Sequence, residues 1–199
     1  MKRAILALKN ASIPFSLEGD YYGADQGALA ILNANKPLKA AIGDFDSVSQ
    51  EEFKRIQECA ETMIQLKCRK DESDTKEAID FIKKQDYNEI VVLGGLFGRF
   101  DHTWANLQLL QCNPDLIWMD EKNRLRIFQP GRHVIFKEDY HYISFFSLKK
   151  GKITLECMEY PLKDYELQPL DSLGLSNEII GESGILECDV PILCIQCHD

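Results

Sequence analysis

No run of about 18 apolar residues occurs in this 199-residue chain, so no membrane-spanning helix can be read from it. Basic excess is also missing. Twenty-three Lys and Arg stand against 32 Asp and Glu, a net charge of −9, which argues against general nucleic-acid binding because nothing neutralises a phosphate backbone. Paired cysteine spacing is absent: the seven cysteines are odd in number and suit a reducing cytoplasm better than a disulfide framework. Cys194 and Cys197 form one Cys-x-x-Cys, but the second pair of a zinc site is lacking. Ile192-Leu193-Cys194-Ile195 reads as a strand, so these are buried structural thiols. Neither a Walker loop nor a Rossmann glycine fingerprint is present. There is no repeat and no low-complexity tract. Met1-Lys2-Arg3 ahead of Ala4–Leu8 starts like a secretory leader, but Lys9-Asn10 cuts the apolar stretch short, and it reads as a first buried strand.

What is present falls into two rhythms. Up to residue 121, strand-like runs (Ala4–Leu8, Lys39–Ile42, Met63–Leu66, Ile90–Leu93, Leu116–Met119) alternate with helix patterns. One helix covers Gly27–Asn33 and stops at Asn35-Lys36-Pro37. Ser49 with Glu52 forms a capping box before Phe53, Ile56 and Ala60, and Asp74 with Glu77 forms another before Ala78, Ile79 and Ile82. A further helix follows Asp101 and carries Trp104, Leu107 and Leu110. This alternation predicts an α/β domain, 1–121, with a mainly parallel sheet covered on both faces. From 122 to 199 short β-rich segments between turn residues predict an all-β C-terminal sandwich. The junction at Asp120–Asn123 lacks linker composition.

Three acidic clusters sit where a strand gives way to a loop or helix, the end at which open α/β sheets bind ligands. In Gly43-Asp44-Phe45-Asp46-Ser47 two aspartates in a tight turn can face one hard cation such as magnesium, or simply make a solvated turn. Asp71-Glu72-Ser73-Asp74 crowds three acids into four positions, which repel unless a cation shares the site. Asp74 also has an N-cap role open to it, and Lys70 and Lys76 can balance charge or touch phosphate. In Gly94-Gly95-Leu96-Phe97-Gly98-Arg99-Phe100-Asp101-His102 the glycines allow close backbone approach to a ligand. Arg99 offers a planar fork for phosphate, and Asp101 a carboxylate for metal or for a proton. His102 either orients Asp101 or begins the helix. The residues alone give an acidic rim for metal and phosphate, and no substrate.

In combination these stretches resemble the thiamine pyrophosphokinase family. The resemblance lies in Gly43-Asp44-Phe45-Asp46-Ser47, Asp71-x-Ser73-Asp74 and Gly95-x-x-Gly98-Arg99-Phe100-Asp101-His102 with Asn106 and Gln108 behind it, and Asp25-x-Gly27-Ala28 is similar to the family's first loop. Tyr160-Pro161-Leu162 with Ser176-Asn177 resembles its sandwich motif. Phe97-Gly98-Arg99 stands where many members have Gly-Gly-Arg, and Cys157-Met158-Glu159 where Gly-Leu-Lys is usual. The resemblance implies transfer of pyrophosphate from ATP to the thiamine hydroxyl in a homodimer, with thiamine between the α/β domain of one subunit and the sandwich of the other. It assigns metal binding to Asp44, Asp46, Asp71 and Asp74, and catalysis to Asp46, Asp71, Asp74, Asp101 and Arg99. Nucleotide contacts fall to Asp25, Gly27, Lys76, Gly95, Gly98, His102, Asn106 and Gln108, and thiamine contacts to Tyr160, Ser176 and Asn177. Mg2+ and ATP are the implied cofactor and co-substrate. Two other readings keep the same residues: a pyrophosphokinase for another hydroxymethyl heterocycle such as a pterin, and a binding module without turnover.

Overall fold

The buried strand expected at Ala4–Leu8 forms as β1 (Arg3–Ala7), with Ala4 to Leu8 at most 4% exposed. The coordinates, a computed structural model, describe residues 2–67 and 72–199. They divide into two compact units, Met1–Glu121 and Lys122–Asp199. No helix among the described residues is long and apolar enough to cross a membrane.

In the first unit, β1 is followed by β2 (Asp20–Ala24), α1 (Gln26–Asn33), β3 (Leu38–Gly43), α2 (Gln50–Cys59), β4 (Ala60–Gln65), α3 (Asp74–Lys83), β5 (Glu89–Leu93), α4 (Phe100–Cys112) and β6 (Leu116–Met119). The strands run β4-β3-β2-β1-β5-β6, and each neighbouring pair is parallel. β2 is not legible in the sequence because it opens on Asp20 and contains Gly23, a poor strand former. That glycine is needed for packing, since a Cβ there would lie 2.3 Å from the Ala28 Cα of α1. The two faces follow the strand period. Ile5, Ala7, Tyr21 and Leu93 cluster with Ala28 and Ile31 of α1 and Ile56 of α2. On the opposite face Tyr22 meets Phe81 of α3 edge-on, at 6.3 Å between ring centroids. The Ser49–Glu52 capping box forms as expected. The cap of α3 is a correction: Ser73, not Asp74, takes it, its hydroxyl accepting from the Lys76 amide at 3.2 Å.

At the amino ends of the strands, Lys39 Nζ and the Tyr87 hydroxyl both donate to Asp20 Oδ2 at 2.5 Å. The Lys39 bond, then the Tyr87 bond, holds the Asp20 carboxyl below its ordinary range. A depressed carboxyl adds stability above its unfolded pKa and loses it as pH falls through the folded value. Asp20→Asn is therefore expected to cost about 1 kcal/mol at neutral pH, the modest value of a part-exposed pair. Thermal melts should show that difference shrinking as the pH is lowered to about 3.

The second unit is entirely β: β7 (Asn123–Phe128), β8 (Gly131–Phe136), β9 (Tyr142–Ser147), β10 (Gly151–Glu156), β11 (Leu162–Leu167), β12 (Ser183–Cys188) and β13 (Ile192–Cys197). Within it β7, β13 and β9 pair antiparallel in that order, and β11-β10-β12-β8 form an antiparallel four-stranded sheet. Phe128, Phe145 and Ile192 of the first set share one core with Leu155, Leu167 and Leu186 of the second, the packing of a sandwich. Cys194 and Cys197 sit three apart on β13 and so point to opposite faces, which rules out a shared metal. Burial pushes the Cys194 thiol up to about 12, and it packs as a small apolar group.

Candidate active site

All three acidic loops open at the carboxyl ends of parallel strands, and the fold brings one aspartate from each of three connections together. Asp25 follows β2, Asp44 follows β3 and Asp74 begins α3 beyond β4. One carboxylate oxygen of each lies within 4.8 Å of the others, and all three are half-buried. Several local choices in the sequence hold this geometry. Phe45 is 5% exposed, stacks edge-on with Phe53 of α2 at 5.5 Å, and takes a left-handed φ of 58°. The buried ring thus anchors a turn that leaves Asp44 half-buried and Asp46 exposed. The Asp46 amide donates to Asp44 Oδ1 at 3.1 Å, and the Phe45 amide to Asp25 Oδ1 at 3.2 Å. Asp25 itself has φ 46° and ψ −117°, strained for an L residue, and stands at the head of α1 without a side-chain cap bond. Gly27 lets α1 start against the sheet, since a Cβ there would lie 1.9 Å from the Ala7 oxygen.

Of the four expected metal ligands, Asp44 and Asp74 lie in this group. Asp46 lies outside it, and Asp71, with Lys70, falls outside the described residues. Asp25 joins the group, a placement that the residues alone do not suggest, because it follows a strand that the sequence pattern does not reveal. The aromatic pair Tyr21-Tyr22 ahead of a lone aspartate and a small-residue helix start was the available signal. Three hard oxygen donors on separate backbones fit magnesium, which takes few protein carboxylates and fills its octahedron with phosphate and water. Lys76, expected near phosphate, pairs with Asp80 of its own helix at 2.9 Å and with Glu72, just ahead of that helix, at 3.7 Å.

The third loop is built on Gly94 and Gly95, with φ 81° and 72°. The Trp118 indole donates to the Gly94 carbonyl at 2.7 Å, and the buried Asn106 amide donates to the Gly95 carbonyl at 2.8 Å. Asn106 thus pins the loop, and Gln108 is exposed on the same helix. Gly98, with φ 103°, has nothing within 4 Å of where a Cβ would be. Arg99 forks onto Asp101, Nε to Oδ1 at 3.2 Å and an η-nitrogen to Oδ2 at 2.6 Å. That fork holds the exposed Asp101 carboxyl below its usual range. The His102 amide also donates to Asp101 Oδ1, at 3.0 Å, and the exposed His102 lies in the first turn of α4.

In the second unit Tyr160 and Asn177 come together. The Tyr160 amide donates to Asn177 Oδ1 at 3.0 Å and the Asn177 amide returns to the Tyr160 carbonyl at 2.8 Å. Asn177 is 3% exposed and Tyr160 62%, so a buried side chain clamps the backbone that presents an open ring. Ser176, exposed, has φ 56° and donates its amide to Ser144 Oγ at 3.0 Å.

Known proteins share both halves of this arrangement. The sequence profile described as thiamin pyrophosphokinase, catalytic domain, matches residues 21–117, and that described as thiamin pyrophosphokinase, vitamin B1 binding domain, matches residues 132–193. The thiamine pyrophosphokinase of Bacillus subtilis (strain 168) is 33% identical over 171 residues, covering 82% of this chain and 80% of that one. The solved structure of a thiamin pyrophosphokinase family protein from Enterococcus faecalis superposes with a TM-score of 0.88 at 31% identity over the full length of both chains. That of thiamine pyrophosphokinase from Bacillus subtilis does so with a TM-score of 0.90 at 29%, again over both full lengths. With both domain profiles matched in order and a relative of this identity covered over four-fifths of its length, the chain belongs to the thiamin pyrophosphokinase family.

Proposed function

We infer that this chain transfers the pyrophosphate group of ATP to the hydroxyl of thiamine, giving thiamine diphosphate and AMP. The observation that carries the site assignment is the convergence of Asp25, Asp44 and Asp74 from three connections at the carboxyl edge of a parallel sheet. Those carboxylates would hold magnesium, with Asp46 and Asp71 as further candidate ligands, and the metal would supply charge neutralisation on the phosphate oxygens. The glycine loop, pinned by Asn106 and Trp118, offers backbone amides to the phosphates beside His102 and Gln108. Arg99 leaves Asp101 for the phosphates and neutralises charge as it moves toward the departing AMP. Once its partner is drawn away, the Asp101 carboxylate becomes a better acceptor for the thiamine hydroxyl proton. The thiamine oxygen attacks the β-phosphorus, the bond from the β-phosphorus to the oxygen bridging the α- and β-phosphorus breaks, and AMP carries that oxygen away.

Tyr160 stacks on the cationic thiazolium or the aminopyrimidine, its backbone fixed by Asn177, with Ser176 alongside. A homodimer is the working unit, with thiamine between the first unit of one copy and the sandwich of the other. Large apolar side chains left open on each unit support it, Phe100 (75%) and Trp104 (53%) on α4 and Phe136 (61%) and Tyr160 (62%) on the sandwich. The described cysteines are all free, in keeping with a reducing cytoplasm.

Chromatography of the nucleotides formed from magnesium and ATP, with and without thiamine, tests this. AMP equal to thiamine diphosphate, formed only with thiamine, is expected. ADP would make the enzyme an ordinary kinase, turnover only with a pterin would move the acceptor, and tight ATP binding without any product would leave a binding module.

A further inference from the structure

The strand order β4-β3-β2-β1-β5-β6 reverses direction between β1 and β5. Successive strands are added on one side of β1 as far as β4, and the chain then crosses to the other side. In open α/β sheets the crevice at such a reversal, outside the carboxyl ends of the strands, is where ligands bind. The segment at that point on β1 is the turn Leu8-Lys9-Asn10-Ala11, closed by the Ala11 amide on the Leu8 carbonyl at 3.1 Å, with Asn10 at a left-handed φ of 61°. It is wedged between the two halves of the site. On the β5 side a Cβ on Gly94 would lie 2.9 Å from Ala11 and 3.0 Å from the Lys9 carbonyl, and one on Gly95 would lie 2.7 Å from a Leu8 methyl. On the β2 side a Cβ on Gly27 would lie 3.0 Å from the Leu8 Cα. The turn therefore fills the roughly 10 Å between β2, which leads to Asp25, and β5, which leads to Arg99.

Of the cations expected at the phosphates, Arg99 is held by Asp101 and Lys76 by Asp80. Among the described Lys and Arg side chains of the first unit, Lys9, Lys67 and Lys84 make no hydrogen bond, ion pair or ring contact. Lys84 caps α3 at the opposite end of the strands, and Lys67 follows the edge strand β4, four places from β5. Lys9 is exposed and sits between the carboxylates and the glycine loop. An ammonium on a flexible stem without a protein partner suits a ligand's phosphate oxygens, which it meets as a point charge.

We propose that Lys9 binds the phosphate chain of the nucleotide between the Asp25–Asp44–Asp74 group and Arg99. This rests on the pyrophosphokinase reading, and the test separates the two. In initial-rate measurements of AMP formation, Lys9→Met is expected to raise KM for magnesium-ATP about 10-fold, the value of one part-exposed charge-assisted hydrogen bond, while KM for thiamine stays unchanged. Lys9→Arg restores most of the loss. A general structural defect would instead move both KM values and lower the melting temperature, and would overturn the proposal. So would a wild-type KM for magnesium-ATP in Lys9→Met. Should the wild type make no AMP, the reading falls, and Lys9 is judged by calorimetric titration of magnesium with a non-hydrolysable ATP analogue. A 10-fold weaker affinity in Lys9→Met sustains the proposal there, and equal affinities overturn it.

Discussion

Asp44→Asn is expected to lower magnesium-dependent AMP formation by roughly 100- to 1,000-fold in kcat, about 3–4 kcal/mol of barrier. The substitution keeps the side chain's size and removes one charge from a group of three oxygens lying within 4.8 Å of one another. An amide oxygen is a weaker ligand for a hard cation, so apparent magnesium affinity falls along with the rate. Raising magnesium should recover part of the activity, which a folding defect would not allow. Asp44 is on a loop and only half-buried, so melting should change little. Steady-state rates across a magnesium series, with melting curves for both proteins, decide the point. A variant with wild-type kcat would remove Asp44 from the site.

Gly43→Ala, which touches no charge, is expected to do nearly as much damage. An added Cβ would lie 1.9 Å from Asp25 Oδ1 and 2.7 Å from its Cγ, so the carboxylate has to swing out. It then loses the Phe45 amide at 3.2 Å and its place beside Asp44 and Asp74. Alanine is also strained at the φ of 157° that Gly43 takes, so the variant costs about 1–3 kcal/mol of stability, while kcat falls about 100-fold. The same rate and melting measurements on Gly43→Ala and Asp25→Ala check this, and the two should look alike. An active Gly43→Ala enzyme would mean that the site does not need the Asp25 carboxylate where the fold puts it.

The fold was legible where the sequence pattern and the physics agree. Ala4–Leu8, Ile90–Leu93 and Leu116–Met119 are apolar runs of strand length, and each became a strand of the parallel sheet. β2 and β11 were not legible. β2 has Gly23 where helix α1 presses on it, and β11 (Leu162–Leu167) has mostly exposed residues and a register shift opposite Ile153–Leu155, so it shows no clean alternation. In the site, the Asp-Phe-Asp turn and the glycine loop were readable because their residue types have few structural uses in that combination. The assembly of Asp25 with Asp44 and Asp74 was not, since those residues stand 19 and 30 positions apart and only the strand order brings them together. Local chemistry also misled at α3, where Ser73 and Asp74 are both good caps and the hydroxyl took the position. Lys9 reads in the sequence only as the end of an apolar stretch, for a related reason: a lone lysine after a strand acquires a binding role only when β1 proves to be the strand at which the sheet reverses.

Manganese, read by electron paramagnetic resonance in the presence of a non-hydrolysable ATP analogue, tests the central claim most directly. Titrations of the wild type are compared with Asp25→Asn, Asp44→Asn and Asp74→Asn. If one metal site is built from three connections, each single substitution weakens manganese binding in the nucleotide complex by at least about 10-fold, including Asp25→Asn. Wild-type manganese affinity in all three variants would contradict the account and leave the metal held by the nucleotide alone or by other residues.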